Sequence, residues 1–193
     1  MNVSILLRST HQSWIDRLRT GEVSQGVQVL AVVAFALLTA LGAQVRIYLW
    51  EVPFTLQTLA VYGSGLFLGW RNGFLAQLLY LTLGLFFPVF AGEGYGIAYL
   101  SGAVTAGYLL AYPLSAAVIG WLATRWNSLL GSTLAMVVGS LMLFSIGVVW
   151  LHYAAGHPDW WTSLERGWLR FIPVDLAKIL CTGLVYSGMR RVL

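Results

Sequence analysis

Residues 27–45 read VQVLAVVAFALLTALGAQV and contain no charged side chain. A helix needs about 20 apolar residues to cross the hydrocarbon core of a bilayer, and this run approaches that length. Across the 193 residues, 59% are hydrophobic and 9% are charged, against about 25% charged in a soluble domain. A single globule of this size cannot hide so much apolar surface. The composition excludes a soluble enzyme, a nucleic-acid-binding protein and a disordered chain, and it indicates an integral membrane protein.

Apolar patterning predicts an all-α fold with six transmembrane helices. The predicted spans are residues 27–45, 54–70, 73–90, 103–123, 129–151 and 172–189. The second and third are short and closely spaced, which favours a tight helical hairpin around Arg71, Asn72 and Gly73, with a re-entrant pair as the alternative. We expect residues 27–193 to form a single membrane domain and residues 1–26 a cytoplasmic extension.

The distribution of arginine orients the predicted spans. With the N-terminus in the cytoplasm, seven arginines fall on the inner side and only Arg46, Arg166 and Arg170 on the outer side. Because loops rich in Arg and Lys stay in the cytoplasm, both termini are expected there, in a plasma or inner membrane. Three elaborate loops then lie outside, at residues 48–53, 91–96 and 152–170. The functional face is expected on that side.

Two ionisable residues in the sixth predicted span, Asp175 and Lys178, form the clearest candidate site. Charged groups inside a membrane are costly and mark function by default. Spaced three apart, they project from one helix face. Lys178 is also the only lysine in the chain, which favours a site that needs a compact ammonium rather than a planar guanidinium. The structural alternative is that Asp175 suits the first helical turn and pairs with Lys178.

Polar residues in the second and third predicted spans are weaker candidates. Gln57 lies beside Thr55 and Thr58, and an amide in a span is either a ligand contact or a hydrogen-bonded link between helices. Tyr80 shares a face with Gln77 and either lines a cavity or packs within the bundle. Gln57 and Tyr80 are retained as predicted substrate contacts.

The loops on the predicted outer side hold further candidates. One loop contains Gly92, Glu93, Gly94 and Tyr95. It does not match the phosphate-binding pattern GxGxxG, and no strand precedes it, so we interpret it as a flexible lid or close-approach loop. The last loop contains Trp160, Trp161 and Trp168, which are typical of an interfacial aromatic belt, with contact to a cavity as the alternative.

The sequence offers little that would support catalysis. No GxSxG, HExxH or GxxxxGK[ST] motif occurs, so we expect no enzyme activity, no metal, no cofactor and no ATP hydrolysis by this chain. The lone Cys181 lies in an apolar stretch and is interpreted as a packing residue. In the first span, Ala36 and Ala40 form a small-xxx-small pair that allows another helix to approach closely.

Several motifs together resemble the BioY family, the biotin-specific membrane subunits of energy-coupling-factor transporters. They are VPFTLQTL at 52–59, LFLG at 66–69, LYL at 79–81, GLFFPVFAG at 84–92 and FIPVDLAK at 171–178. The last matches the pattern Pro-x-Asp-x-x-Lys and is the most specific. The resemblance covers roughly residues 27–190, in order.

The resemblance implies a six-helix subunit that captures biotin outside the cell. Asp175 and Lys178 would contact the polar head of the ligand, with Gln57, Tyr80 and the loop at 92–96 as weaker contacts. The implied partners are a transmembrane coupling subunit and two ATPase subunits. Ala36 and Ala40 would then lie on the docking face, and the loaded subunit would topple to release its ligand inside.

Three features depart from the family pattern. Prolines expected after residue 69 and near residues 101–108 are absent, and Glu93 stands where a small or basic residue is usual. An acid is an awkward neighbour for a ligand carboxylate, so the holder of that group stays unassigned, with Arg46 and Arg170 as candidates.

Three alternative functions are compatible with the residues alone. The same kind of transporter would carry lipoate or another vitamin, since the Asp175 and Lys178 pair indicates a polar head group without naming it. A solitary facilitator would work without ATPase partners. An intramembrane enzyme would use Asp175 as a base, but no second catalytic residue supports that alternative.

Overall fold

The computed structural model describes residues 13–92, 94–126 and 128–192, and it is mostly helical. Its elements, in chain order, are α1 (Trp14–Thr20), α2 (Gln25–Gln44), β1 (Arg46–Ile47), β2 (Phe54–Thr55), α3 (Gln57–Phe86), α4 (Gly96–Gly102), α5 (Ala106–Arg125), α6 (Leu129–Ala155), α7 (Trp160–Gly167), a 3-10 turn (Leu169–Phe171) and α8 (Ile172–Val192). Within these residues, α2, α5 and α6 are long and apolar enough to cross a membrane.

Helix α3 is a hairpin of two antiparallel limbs, residues 57–68 and 70–86. Gln57 donates a 2.7 Å hydrogen bond to the Tyr80 hydroxyl, and the Gln77 amide donates one of 3.0 Å to Ser64. Each bond joins residues on opposite sides of Gly69, so the second limb folds back along the first. The expected hairpin is present, with its reversal at Gly69 rather than at residues 71–73.

The reversal depends on glycine. Gly69 has φ +74°, a left-handed conformation that L side chains disfavour. A Cβ at this position would also lie 2.6 Å from the backbone oxygen of Arg19. Helix α1 therefore rests directly on the turn and packs Leu18 beside Leu68 there, while Ile15 of the same helix joins the main core. The division of the chain at residue 26 stays a prediction, but α1 itself packs against the helical body.

The core lies where α3 packs between α2 and α5, with α6 against α5 and with α8 against α3 and α6. Small residues permit the closest approaches, as a Cβ on Gly120 would lie 2.4 Å from the backbone of Gly69. The outward faces carry large apolar side chains, among them Leu30 and Leu41 of α2, which are 69% and 65% exposed. Such faces suit contact with lipid.

Four short elements, β1, β2, α4 and α7, lie between the predicted spans or at their ends. Strands β1 and β2 pair antiparallel, with Arg46 opposite Thr55, and so they close residues 48–53 into a loop over the start of α3. Helix α4 begins at the end of the loop at residues 91–96, and helix α7 lies within the loop at residues 152–170. Such short elements have too few residues for a hydrophobic period to show in the sequence.

Candidate ligand-binding site

A cavity lies among the first limb of α3, α5, α6 and α8, at the end of the bundle where α8 begins. Its lining residues are Val52, Pro53, Thr55, Gln57, Thr58, Ala91, Tyr99, Thr105, Tyr108, Leu109, Tyr112, Leu143, Phe144, Phe171, Val174, Asp175 and Lys178. The cavity has a volume of about 50 Å³, which is room for a few waters.

Asp175 forms the acidic part of this cavity. It lies in the first turn of α8 and is only 6% exposed. Tyr62 donates a 2.6 Å hydrogen bond to Oδ1, and Ser140 donates one of 2.5 Å to Oδ2. Each carboxylate oxygen retains a lone pair that can accept from a ligand. The carboxylate is thus fixed by two neighbouring helices while it faces the cavity.

Lys178 forms the basic part, one helical turn further along α8. Its Nζ donates to the backbone oxygen of Thr55 at 2.6 Å and to the Thr58 hydroxyl at 3.0 Å. Of the ion pairs within 4.0 Å among the described residues, none joins Asp175 to Lys178. The two side chains therefore form no direct ion pair, and their contact with a ligand stays a prediction. A third N–H of the ammonium stays available to a ligand.

Of the two weaker candidates, which are joined by the 2.7 Å hydrogen bond from Gln57 to Tyr80, only Gln57 lines the cavity. Gln57 is 2% exposed, lines the cavity and receives a 3.0 Å hydrogen bond from Thr55. Tyr80 is fully buried behind it and is not among the lining residues. Gln77 links the helices instead, since it receives a hydrogen bond from Thr39. Gln57 is thus placed to touch a ligand and Tyr80 to orient Gln57.

The apolar walls of the cavity are aromatic, and the sequence reasoning did not find them. Tyr99, Tyr108, Tyr112, Phe144 and Phe171 all line it. The ring of Phe171 stacks on that of Phe54 with centroids 4.3 Å apart. An apolar wall with a few convergent polar groups is the usual form of a small-molecule site.

Two partners of Asp175, Tyr62 and Ser140, were also missed. Hydroxyl side chains inside apolar spans are the only sequence signal that marks them. That signal is weak, because such residues also serve as links between helices.

The glycine-rich loop contributes less than expected. Gly92 and Gly94 pack against the ring of Tyr99, and Tyr95 is 57% exposed. None of these three lines the cavity, whereas Ala91 does. Glu93 lies outside the described residues. The loop therefore supports the wall residue Tyr99, and contact of its own side chains with a ligand stays a prediction.

The two arginines considered for a ligand carboxylate are engaged elsewhere. Arg46 donates a 2.6 Å hydrogen bond to the backbone oxygen of Ala91. Arg170 pairs with Glu165 at 2.6 Å and lies 4.0 Å over the ring of Trp50. Neither arginine lines the cavity. Their contacts hold the loops above the site together.

A polar cluster beside these loops joins α7 to residue 51. Arg166 forms a 2.6 Å ion pair with Glu51, and His157 approaches the same oxygen at 3.7 Å. Burial alone would raise the pKa of Glu51, but hydrogen bonds from the backbone and Arg166, with the charges of Arg166 and His157, hold the pKa below its ordinary value. Glu51 directly precedes Val52 and Pro53, so this cluster fixes one wall of the cavity.

The remaining predicted residues lie in α2, in α8 and in the last loop, and none of them lines the cavity. Ala36 is fully buried within the chain, and Ala40 packs against the same core. Docking of a partner subunit on this face of α2 therefore stays a prediction, and such docking would depend mainly on the exposed side chains beside the two alanines. Cys181 is exposed rather than packed inside. The rings of Trp160 and His152 are stacked with their centroids 3.9 Å apart, and those of Trp168 and Phe144 are stacked with centroids 6.1 Å apart. The three loop tryptophans do not line the cavity.

Comparison with known proteins gives a consistent result. A biotin transporter BioY from Thermotoga maritima is 33% identical over 165 residues, which are 85% of this chain and 96% of that protein. A probable biotin transporter BioY from Pyrococcus horikoshii is 36% identical over 152 residues, 78% of this chain and 88% of the relative.

A solved structure shows the same fold. It is the 2.1 Å crystal structure of the S-component for biotin from an ECF-type ABC transporter, which matches with a TM-score of 0.76 at 22% identity. The match covers 88% of this chain and 94% of the solved one. The family profile described as the BioY family matches residues 16–193. The chain therefore belongs to the BioY family.

Proposed function

We propose that this chain captures biotin at the membrane surface and supports its uptake as the substrate-binding subunit of an ECF-type transporter. The observation that carries this proposal is the buried pair of Asp175 and Lys178, which face one aromatic-walled cavity and have separate hydrogen-bond partners. The names of the relatives and of the solved structure support biotin as the ligand. The buried pair supports a polar head group inside an otherwise apolar site.

The chemistry of biotin suits the groups that line the cavity. Its ureido ring has two N–H donors and one carbonyl acceptor. Asp175 would accept from the N–H groups, and the Lys178 ammonium would donate to the oxygen. Tyr112, Phe144 and Phe171 would cover the thioether ring and the aliphatic chain.

The proposed topology has six crossings with both termini in the cytoplasm. The four long helices α2, α5, α6 and α8 supply four crossings, and the two limbs of α3 supply the others. The cavity then opens on the outer side. The excess of arginine at the opposite end of the bundle supports this orientation.

Cysteine labelling tests the orientation. In a chain with Cys181→Ser, a membrane-impermeant maleimide should label Tyr95→Cys in intact cells and Arg17→Cys only after the membrane is opened. The reverse pattern would overturn the orientation.

The partners are part of the proposal. By family membership, a transmembrane coupling subunit and two ATPase subunits would supply the energy for release inside. Copurification with a coupling module tests this assignment. Biotin uptake by the chain alone, in cells that lack any such module, would favour the solitary facilitator instead.

Ligand identity is tested by calorimetric titration of the purified chain. Biotin should bind tightly at one site per chain, while lipoate, which has a carboxylate and a sulfur ring but no ureido group, should bind far more weakly. Tighter binding of lipoate than of biotin would contradict biotin as the ligand but would leave the proposed binding site in place.

A further inference from the structure

A second polar cavity lies at the opposite end of the bundle from the site above. It is lined by Arg19, Thr20, Gly21, Gln28, Leu68, Trp70, Arg71, Asn72, Trp121, Thr124 and Arg125, a set that we call the arginine pocket. Its volume is about 710 Å³. On helix α5, Tyr112 lines the first cavity and Trp121 lines this one, so the nearest parts of the two are about 14 Å apart along the helix axis.

The pocket concentrates positive charge without a compensating acid. Arg19, Arg71 and Arg125 line it, and no Asp or Glu among the residues that the structure describes does so. Within the described residues, none of the three arginines has an ion pair. Arg19 donates to Tyr186 and to the backbone oxygen of Ala123, yet its Nε is buried without a hydrogen-bond partner in the described part of the chain.

Two helix beginnings add to this positive potential. Gln28 lies in the first turn of α2, and Arg71 and Asn72 lie in the first turn of the second limb of α3. The first turn of a helix carries partial positive charge and favours anions. The end of α5 opposes this effect, but Arg19 already binds one of its carbonyls. The net field of the pocket therefore attracts an anion.

The rim of the pocket is built for the membrane surface. Trp70 and Trp121 are 48% and 49% exposed. Arg71 lies 5.0 Å from the Trp70 ring centroid, and Arg125 lies 3.8 Å from that of Trp121. Tryptophan prefers the level of the lipid head groups. Each stacked arginine is thus held beside a residue that marks the membrane boundary.

We propose that the arginine pocket binds the phosphate of an anionic phospholipid. Arg71 and Arg125 would donate to the phosphate oxygens, with Asn72 and Thr124 beside them, and the two tryptophan rings would pack on the glycerol and upper acyl chains. Its assignment to the inner leaflet rests on the proposed orientation. Such basic pockets between helices recognise acidic lipid head groups.

Lipid retention tests the proposal on the whole purified chain. Native mass spectrometry would count phosphatidylglycerol or phosphatidylcholine retained after transfer from mixed micelles of each lipid. We expect one phosphatidylglycerol per parent chain and little phosphatidylcholine. The variant Arg71→Gln/Arg125→Gln should bind phosphatidylglycerol roughly 30-fold more weakly, since each basic residue near an anionic surface contributes about a factor of five.

A matched control separates the loss of charge in the arginine pocket from the loss of charge elsewhere on the protein. Arg17→Gln removes an exposed charge of α1 outside the pocket and should retain lipid like the parent. Equal retention of the two lipids, or equal phosphatidylglycerol retention by the double variant and the parent, would overturn the proposal. Displacement of the lipid by inorganic phosphate at millimolar concentration would overturn the lipid assignment in favour of a soluble phosphate ligand.

Biotin titration of the same samples distinguishes the two proposals. The parent and the double variant should bind biotin equally, because the pocket lies at the other end of α5. If lipid retention follows the prediction while biotin binds to neither protein, the proposed function fails and the lipid site stands. If biotin binds to both and no lipid selectivity is seen, the lipid site alone fails.

Discussion

Tyr62 and Asp175 are 113 positions apart in the chain, and a 2.6 Å hydrogen bond from the tyrosine hydroxyl to Oδ1 joins them. Tyr62 is fully buried in the first limb of α3. With Ser140 on the other oxygen, it sets the direction in which the carboxylate faces the cavity. The polar anchor of the proposed site is therefore built by three helices and not by α8 alone.

Removal of the Tyr62 hydroxyl should weaken binding of the proposed ligand. In Tyr62→Phe, Asp175 loses one of two donors and no longer has a fixed direction. We expect biotin affinity to fall about tenfold, since a hydrogen bond to a charged group contributes about 1.5–3 kcal/mol. Calorimetry measures the change. Tyr153→Phe, at a residue 74% exposed, is the matched control, and an equal loss in both variants would contradict this role.

Replacement of Lys178 by arginine should also weaken binding, although the charge is kept. The Lys178 ammonium fits between Thr55 and Thr58 at 2.6 and 3.0 Å, and a longer planar guanidinium does not fit the same position. We expect at least about a tenfold loss of biotin affinity in Lys178→Arg. The swap Arg17→Lys, at an exposed residue of α1 away from the cavity, serves as control. Full affinity in Lys178→Arg would show that only the charge matters.

The ion pair of Glu51 with Arg166 should stabilise the protein in a pH-dependent way. The pKa of Glu51 lies below its ordinary value in the folded protein. The stabilisation is therefore present above the unfolded pKa and is lost as pH falls through the folded pKa. At pH 7, Glu51→Gln should lower Tm by about 1–4 °C, as expected for a partly exposed pair.

The test of this pair is thermal unfolding of the parent and Glu51→Gln from pH 7 downward. The Tm difference should shrink as the pH falls below the ordinary glutamate range. The exposed Glu22→Gln is the control and should leave Tm nearly unchanged. A Tm difference that is the same at every pH would contradict the electrostatic account.

Substitution of Gly69 by alanine should destabilise the α3 hairpin. A side chain there meets the positive φ of +74° and lies 2.6 Å from the Arg19 backbone oxygen. We expect a Tm decrease of about 2–8 °C, since a left-handed alanine costs about 1–2 kcal/mol before the steric conflict is added. Gly188→Ala, with open space around its Cβ, should be neutral or slightly stabilising. Equal Tm values for the two variants would contradict this prediction.

Hydropathy predicted the long helices, because each must present an apolar surface over its whole length. The positions of α2, α5, α6 and α8 agree with the predicted spans to within a few residues. The turn at Gly69 was placed two residues too late, because the charged Arg71 gave the stronger sequence signal. The ribbon of β1 and β2 depends on pairing across a loop and has no local pattern of its own.

The site residues likewise fall into those that a local sequence pattern predicts and those that depend on how the helices pack. Asp175 and Lys178 stood out because each is an ionisable exception in an apolar segment. The partners Tyr62 and Ser140 did not, since hydroxyls occur in many spans and their use depends on which helices meet. Ala36 is a further example. A small residue in a span indicates that another helix packs closely against it, but it does not show whether that helix belongs to the same chain or to a partner.

The most direct test of the central claim is a calorimetric titration of biotin into the purified chain beside Asp175→Asn and Lys178→Ala, with Tyr153→Phe as the control. The account predicts one tight site in the parent and control, and a loss of about 10- to 100-fold in each of the other two variants. Thermal unfolding of the same samples verifies that the variants are folded. Unchanged tight binding in both Asp175→Asn and Lys178→Ala would contradict the account and return the pair to a structural role.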